Sequence, residues 1–158
     1  MNVKIRVSIF LLFFGINAVL MGQHDHKEYR NEFGGAAGAV FHQEEANVAL
    51  GLHLHYTFMF SGVLEKFGIG PGLEAIIDEH MHYDASFNIT WRPVHQLWIS
   101  AGPGITFIQE NNVYLMSYHL ESGYEFETGR IHLGPMIEYS RAGGEEHFMV
   151  GIHLGLPF

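Results

Sequence analysis

The chain contains no cysteine and few basic residues. Without cysteine it forms no disulfide and offers neither a thiol nucleophile nor a thiolate metal ligand. Eight lysines and arginines stand against 17 aspartates and glutamates, which gives a formal net charge of −9. Because proteins that bind nucleic acid carry a basic patch, no nucleic-acid partner is predicted.

Long apolar runs are missing after residue 22. A helical membrane span needs about 20 apolar residues, so none is predicted beyond that point. The amino terminus places Lys4 and Arg6 before the apolar run 7–15, and small residues follow at Ala18 and Gly22. This order is typical of a secretory signal peptide, predicted over residues 1–22, with an uncleaved membrane anchor as the alternative.

Period-two alternation dominates the rest of the chain. After a polar segment rich in histidine and acid, predicted over residues 23–33 and placed in the periplasm, the predicted barrel domain spans residues 34–158. Eight alternating runs of about 10 to 14 residues are separated by short breaks of turn-forming composition, and a tilted membrane strand needs about 9 to 11 residues. The runs cover residues 33–42, 47–60, 66–77, 81–92, 97–108, 113–126, 130–141 and 147–158.

The two faces of these runs distinguish between two kinds of eight-stranded barrel. In the last run, the six residues from Phe148 to Phe158 that share one parity are all apolar, whereas the other parity holds histidine, methionine, glycine and proline. A soluble lipocalin-like barrel points its apolar face inward, and a membrane barrel points it outward. Since the interior of eight strands is barely wide enough for side chains, the glycine-rich parity is predicted to face the lumen and the bulky parity the lipid.

On these features the chain resembles the small eight-stranded outer-membrane barrels of Gram-negative bacteria, of the OmpX and OmpA transmembrane-domain type with short loops. The features are the signal peptide, the eight runs, the glycine-rich strands at 67–73 and 101–105, and the terminal Phe158. The resemblance implies an all-β, antiparallel, up-and-down transmembrane β-barrel in the outer membrane, reached by secretion through the inner membrane. It also implies a monomer whose partners are outer-membrane lipid, lipopolysaccharide and the barrel-assembly machinery.

Twelve histidines make metal binding the main chemical hypothesis. Imidazole and carboxylate together suit zinc, nickel, copper(II) or iron, although nothing in the pattern requires a cofactor. The candidate ligands predicted in the lumen are His53, His55, Glu74, His82, Asp84, His119, Glu121, Glu138 and His153. Symmetric hairpins would place His53 opposite Glu74, His119 opposite Glu138 and Glu125 opposite His132. The alternative is a packed plug in which these groups, with Lys66 and Arg92, neutralise one another.

Two further candidate metal sites lie outside the lumen. His24 and His26 could bind metal in the amino-terminal tail, or the tail could be a plain tether. An acidic rim with histidines could bind divalent cations, either as a metal site or by bridging lipopolysaccharide phosphates, or it could be a solvated acidic surface. The rim residues are His42, Glu44, Glu45, Asp78, Glu79, His80, His82, Asp84, Glu145, Glu146 and His147.

An enzymatic role is not predicted. Lipid-modifying barrels need a polar catalytic group facing lipid or at the outer rim, and the outward parity offers little beyond Ser122. Nucleophilic catalysis needs a nucleophile and a base within hydrogen-bond reach, and the sequence shows no such set. The expected function is therefore that of a non-enzymatic outer-membrane barrel with a structural, metal-responsive role in the envelope. A metal-binding or metal-uptake accessory barrel is the first alternative, and a lipid-modifying enzyme the second.

Overall fold

The computed structural model describes residues 29–42, 48–128 and 130–158. They form the strands β1 (Asn31–His42), β2 (Val48–Met59), β3 (Phe67–Ile77), β4 (His82–Val94), β5 (Leu97–Ile108), β6 (Val113–Tyr124), β7 (Phe126–Thr128), β8 (Ile131–Ala142) and β9 (Glu145–Pro157). The predicted signal peptide, the tail histidines His24 and His26, and the predicted rim residues Glu44 and Glu45 lie outside the described residues.

The strands close into an antiparallel barrel. Each strand pairs with its neighbours in the chain, and β1 also pairs with β9. The short strand β7 continues β6 beyond Glu125, and both parts pair with β8, so the two count as one strand of an eight-stranded ring. The predicted up-and-down transmembrane β-barrel is confirmed. Within the described ranges, no helix has the length and apolar character needed to cross a membrane.

All eight predicted runs correspond to strands, with small differences at their ends. Differences of two residues occur at four ends: β1 begins at Asn31 and β9 at Glu145, each two residues earlier than predicted, and β4 ends at Val94 and β7 at Thr128, each two residues later. The backbone N–H of Phe158 donates to the Asn31 carbonyl at 2.8 Å, and the N–H of Asn31 donates back at 3.3 Å. These bonds need both ends of the chain, which explains why local alternation missed the first residues of β1.

The two faces of the barrel are as predicted. Large apolar side chains cover the outside, for example Leu54, Phe87, Ile105, Leu120 and Ile152, each about half exposed or more. The buried side chains that line the interior are largely polar. The buried polar side chains are Glu32, His53, Thr57, Glu74, His82, Asp84, Asn88, Thr90, Ser100, Thr106, Ser117, His119, Glu121, Glu125, His132, Glu138, Ser140, His147 and His153. An apolar exterior around a polar interior is the arrangement of a membrane barrel and the reverse of a soluble one.

Candidate functional site

The polar lumen divides into three clusters along the barrel axis. We call the end that holds residues 29–31 and Phe158 the terminus end and the opposite end the loop end. The terminus cluster consists of Glu32, His55, Arg92, Glu125, His132 and His153. The central cluster consists of His53, Glu74, Asp84, His119, Glu121 and Glu138. The loop-end cluster consists of His42, Asp78, His82, Glu145 and His147.

His119 on β6 lies at the middle of the central cluster. Its Nδ1 is 3.0 Å from Glu138 Oε1, and its Nε2 is 2.9 Å from Asp84 Oδ1. The second oxygen of Asp84 accepts hydrogen bonds from the hydroxyls of Thr106 and Ser117. Both nitrogens of the imidazole therefore face carboxylates that other groups hold in place.

His53 on β2 brings a second imidazole to the same cluster. Its Nδ1 lies 3.5 Å from Glu138 Oε2 and 3.7 Å from Glu121 Oε2, and all three side chains are at least 95 % buried. Glu74 completes the cluster with an oxygen 3.8 Å from His119 Nδ1. Four carboxylates thus meet two imidazoles. With all four carboxylates ionised, two negative charges would remain even with both imidazoles protonated, and because charge is costly to bury, either protonation of two carboxyl groups or a bound cation would remove them.

The structure corrects one part of the sequence analysis, because it brings a serine within reach of a histidine and an acid. Ser117 Oγ lies 3.3 Å from His119 Nε2, and His119 Nδ1 is bonded to Glu138. However, the Ser117 hydroxyl donates to Asp84. Ser117 is also 99 % buried, beside a void of about 10 Å³. A void of that size holds about one water molecule, so there is no room for an acyl or phosphoryl substrate.

Of the three predicted cross-strand pairs, one is confirmed and two are wrong. His53 does lie opposite Glu74. His119 lies opposite Ser140, and Glu121 is the residue opposite Glu138. Likewise His132 lies opposite Glu127, not Glu125. The strands pair up to Thr128 and Ile131, so the centre of the turn lies one residue later in the chain than the predicted hairpin assumed. The partner of each residue on the opposite strand is therefore two positions further along the chain than predicted.

The terminus cluster is organised by the only guanidinium of the lumen among the described residues. Arg92 donates from Nη1 to Glu125 Oε2 at 2.8 Å and from Nη2 to Glu32 Oε1 at 2.9 Å. His132 Nδ1 lies 2.8 Å from the other oxygen of Glu32. His153 Nδ1 lies 3.3 Å from Glu125 Oε1. Arg92 places a positive charge between Glu32 and Glu125, which opposes the binding of a metal cation by these two carboxylates.

The loop-end cluster has a different character, since two of its imidazoles flank one carboxylate and the third packs against those two rings. Asp78 Oδ2 lies 3.5 Å from His42 Nε2 and 3.6 Å from His82 Nε2. The ring centroids of His42 and His147 are 4.6 Å apart, and those of His82 and His147 are 5.3 Å apart. A cavity of about 220 Å³ at this end reaches the exposed Glu110 and Glu145.

The nine predicted lumen ligands all face the interior, but the structure does not bring them together into one site. Six belong to the central cluster. His55 and His153 stack on each other in the terminus cluster, with ring centroids 5.1 Å apart, and His82 belongs to the loop end. The sequence analysis missed Glu32 and Trp98, both buried. Glu32 has the parity of the lumen residue Gly34, so extending the first run by two residues would have found it.

The interior between the clusters is nearly filled. A cavity of about 360 Å³ opens at the terminus end. Between it and the loop-end cavity, two voids of about 10 Å³ each lie beside the central cluster. Each has room for about one water molecule.

Comparisons with known proteins support the fold. No protein-family model and no curated protein sequence matches the chain. Among solved structures, neisserial surface protein A is similar with a TM-score of 0.61 and 5 % identity, over 84 % of this chain and 98 % of that one. A de novo designed transmembrane β-barrel has a TM-score of 0.57 at 10 % identity, over 79 % and 95 % of the two chains. The outer-membrane protein Ail of Yersinia pestis, in a phospholipid bilayer nanodisc, has a TM-score of 0.50 at 15 % identity, over 81 % and 99 %.

Proposed function

We propose that the protein is a non-enzymatic integral barrel of the outer membrane whose role in the envelope is structural. The observation that carries this proposal is the interlocked polar lumen inside an apolar exterior. The central cluster spans the lumen from β2, β3 and β4 to β6 and β8, and the two voids of about 10 Å³ beside it are water-sized. Such a barrel seals its own interior and offers lipid a continuous apolar surface. Its partners are lipid, lipopolysaccharide and, during insertion, the barrel-assembly machinery.

The closure of the barrel supports the proposal of a monomer. Strands assemble between chains through unpaired edges, and a closed barrel has none. In the described part of the chain, β1 and β9 pair over eleven residue positions. We therefore expect the purified protein to sediment as one chain per detergent micelle.

Planar bilayers containing the purified protein test whether the lumen is closed. We expect no stable conductance steps, because a solute would have to displace His119 from the carboxylates that flank it on both sides. A porin of known conductance serves as the positive control. Steady channels from the wild-type protein would contradict a sealed lumen.

A deletion strain tests the envelope role and the absence of catalysis together. We expect the deletion to raise uptake of a hydrophobic fluorescent dye, and wild type to restore the barrier. Ser117→Ala should restore it equally, because the hydroxyl only supports Asp84. Unchanged permeability in the deletion strain would contradict the structural role. Restoration by wild type, but not by a Ser117→Ala protein that still folds, would contradict a purely supporting role for the hydroxyl.

A second candidate function is metal binding in the central cluster, because four carboxyl groups there meet only two imidazoles. His53, Glu121 and Glu138 offer ligand atoms within 4.8 Å of one another, as do Glu74, His119 and Glu138. A divalent cation would balance the charge and suits this nitrogen and oxygen ligand set. Elemental analysis of protein purified from native membranes tests this. One equivalent of metal, lost in a His53→Gln/Glu121→Gln variant, would support it, and metal-free wild-type protein would contradict it.

A further inference from the structure

The loop-end cluster joins side chains from three separate places in the chain. His42 ends β1 and lies directly opposite His147 of β9 in the strand register. Asp78 follows β3, and His82 begins β4. His82 and His147 are more than 90 % buried, and the His42 and Asp78 side chains are each 13 % exposed. Two imidazoles therefore flank the Asp78 carboxylate, and the ring of His147 packs against both of them just inside the mouth of the barrel.

Asp78 is held in place by the backbone, and several potential ligand atoms of this cluster have no hydrogen-bond partner. Asp78 Oδ1 accepts the backbone N–H groups of His80 at 2.9 Å and Met81 at 2.6 Å, which fixes the carboxylate and leaves Oδ2 directed at the histidines. Within the described residues, no hydrogen-bond partner reaches Asp78 Oδ2, His42 Nε2 or His147 Nε2. Buried polar atoms without partners are costly, so they point to a ligand that satisfies them.

The spacing of the donor atoms fits a tetrahedral metal ion better than hydrogen bonds. The distances of 3.5 and 3.6 Å from Asp78 Oδ2 to His42 and His82 exceed those of good hydrogen bonds. Zinc binds imidazole nitrogen and carboxylate oxygen at about 2.0 to 2.2 Å, which places two ligands of a tetrahedron about 3.3 to 3.6 Å apart. The ligand atoms of His82, Glu145 and His147 also lie within 4.8 Å of one another.

Access and charge distinguish this cluster from the other two. The cavity of about 220 Å³ in front of it is lined by three glutamates, namely Glu110, Glu145 and Glu146, and no lysine or arginine is among its described lining residues. The terminus cluster, in contrast, holds Arg92, and the central cluster is beside water-sized voids. A cation can therefore reach the loop end and is attracted to it.

We propose that His42, His82 and His147, with Asp78, form a binding site for a divalent transition-metal ion of the zinc, copper(II) and nickel class at the loop end of the barrel. Three imidazole nitrogens and one carboxylate oxygen suit these ions, whereas calcium and magnesium need six or more oxygen ligands or retained water. Glu145 supplies a further oxygen at the entrance. The site does not depend on the structural role proposed above, because it lies beyond the central cluster.

Calorimetric titration of the full-length mature barrel in detergent with Zn²⁺ tests the site. All proteins carry His24→Ala and His26→Ala, so that the tail contributes no ligand. We expect one Zn²⁺ per barrel with micromolar or tighter affinity, unchanged by millimolar Ca²⁺. His82→Gln and His147→Gln should each weaken binding at least about 100-fold, since loss of even an outer-shell partner costs up to about 100-fold.

Three matched variants localise the site. His80→Gln changes a neighbouring histidine that pairs with Glu110, and His53→Gln changes the central cluster; both should bind Zn²⁺ as tightly as the parent. Asp78→Asn keeps an oxygen for the turn but removes the carboxylate, so it should fold and bind weakly. Each protein is first checked for the heat-dependent gel shift of a closed barrel.

Cobalt(II) provides a readout of the ligand geometry. Bound at this site it should show the intense visible absorption of a tetrahedral ion, and Asp78→Asn and His147→Gln should lose that absorption. The proposal is overturned by wild-type binding no tighter than millimolar, by affinity unchanged in His82→Gln, or by loss in His53→Gln instead. Displacement of Zn²⁺ by Ca²⁺ would also overturn it, since that would indicate an oxygen site of the kind that bridges phosphates.

Discussion

At the scale of single residues, the cost of removing a charged lumen side chain depends on the charged partners that stay buried. Arg92 donates hydrogen bonds to Glu32 and Glu125 at once, and both carboxylates are buried. Breaking a buried ion pair by removing one member costs about 3 to 5 kcal/mol, because the other charge stays buried without compensation. Removing both members costs much less.

We therefore expect Arg92→Leu to lower the free energy of unfolding by about 3 to 5 kcal/mol, measured by denaturant titration in lipid vesicles. An Arg92→Leu/Glu32→Gln/Glu125→Gln variant should recover most of this loss. Lys66→Leu is the control, because Lys66 makes one exposed hydrogen bond, to the Pro93 carbonyl, and its loss should cost about 0.5 kcal/mol or less. Equal effects of Arg92→Leu and Lys66→Leu would show that the terminus cluster contributes nothing to stability.

At the scale of strands, glycine allows the close approach that a narrow barrel requires. A Cβ atom on Gly70 would lie 1.7 Å from the carbonyl oxygen of Tyr56, and one on Gly134 would lie 1.7 Å from that of Tyr124. In both cases the obstacle is the backbone of the neighbouring strand, which cannot rotate away as a side chain can. These two glycines allow β3 and β8 to lie close against β2 and β6.

Gly70→Ala and Gly134→Ala should each lower the free energy of unfolding by about 1 to 3 kcal/mol or more, since 1 to 3 kcal/mol is the usual cost of overpacking. Gly35→Ala is the matched control, since its Cβ would meet the end of the flexible Leu54 side chain at 3.1 Å. The measurement is the denaturant midpoint of each refolded variant. The interpretation fails if Gly35→Ala is as damaging as Gly70→Ala.

The outward face of β9 allows a direct test of strand orientation. Ile152 is 61 % exposed on the apolar exterior, and arginine on the lipid face at the bilayer midplane costs about 2 to 4 kcal/mol. We expect Ile152→Arg to reduce membrane insertion, measured as the fraction of refolded protein. Val63→Arg lies in the turn between β2 and β3, outside the strands, and should insert like wild type. Equal insertion of the two variants would mean that Ile152 does not face lipid.

At the scale of the whole molecule, closure of the barrel gives every strand a partner on both sides. The backbone N–H and C=O groups of each strand can therefore bond to a neighbouring strand. Lipid offers no hydrogen-bond partner to the backbone, so an open sheet is unstable in the membrane and a closed barrel is stable. The seam between β1 and β9 therefore determines whether the molecule is stable as a unit.

Unboiled and boiled protein should accordingly run differently on a denaturing gel, because the closed barrel resists detergent until heated. Removal of residues 145–158 deletes β9 and one side of the seam, and this shortened chain should show no heat-dependent shift. Identical mobility of the full-length protein before and after boiling would contradict a closed membrane barrel.

Much of this architecture could be read from the sequence because it depends on a local property. Side chains alternate between the two faces of a strand with a period of two, so parity alone assigned Ile152 to lipid and His153 to the lumen. The breaks between runs likewise located the strands to within a few residues. The sequence analysis missed the first residues of β1 because Phe158, with which Asn31 exchanges backbone hydrogen bonds, is at the other end of the chain.

Which lumen residues meet was decided by the tertiary structure. The turn after Thr128 moved two predicted pairs by two residues, although His119 and Glu138 still touch diagonally. Contacts across the lumen, such as Arg92 with Glu32 or His82 with His147, join strands whose relative height depends on the tilt and stagger of the closed barrel. Parity assigns a residue to the interior, but only closure fixes its height and its neighbours there. For that reason one predicted set of lumen ligands became three clusters, and the grouping of His42, His82 and His147 beside Asp78 emerged only in three dimensions.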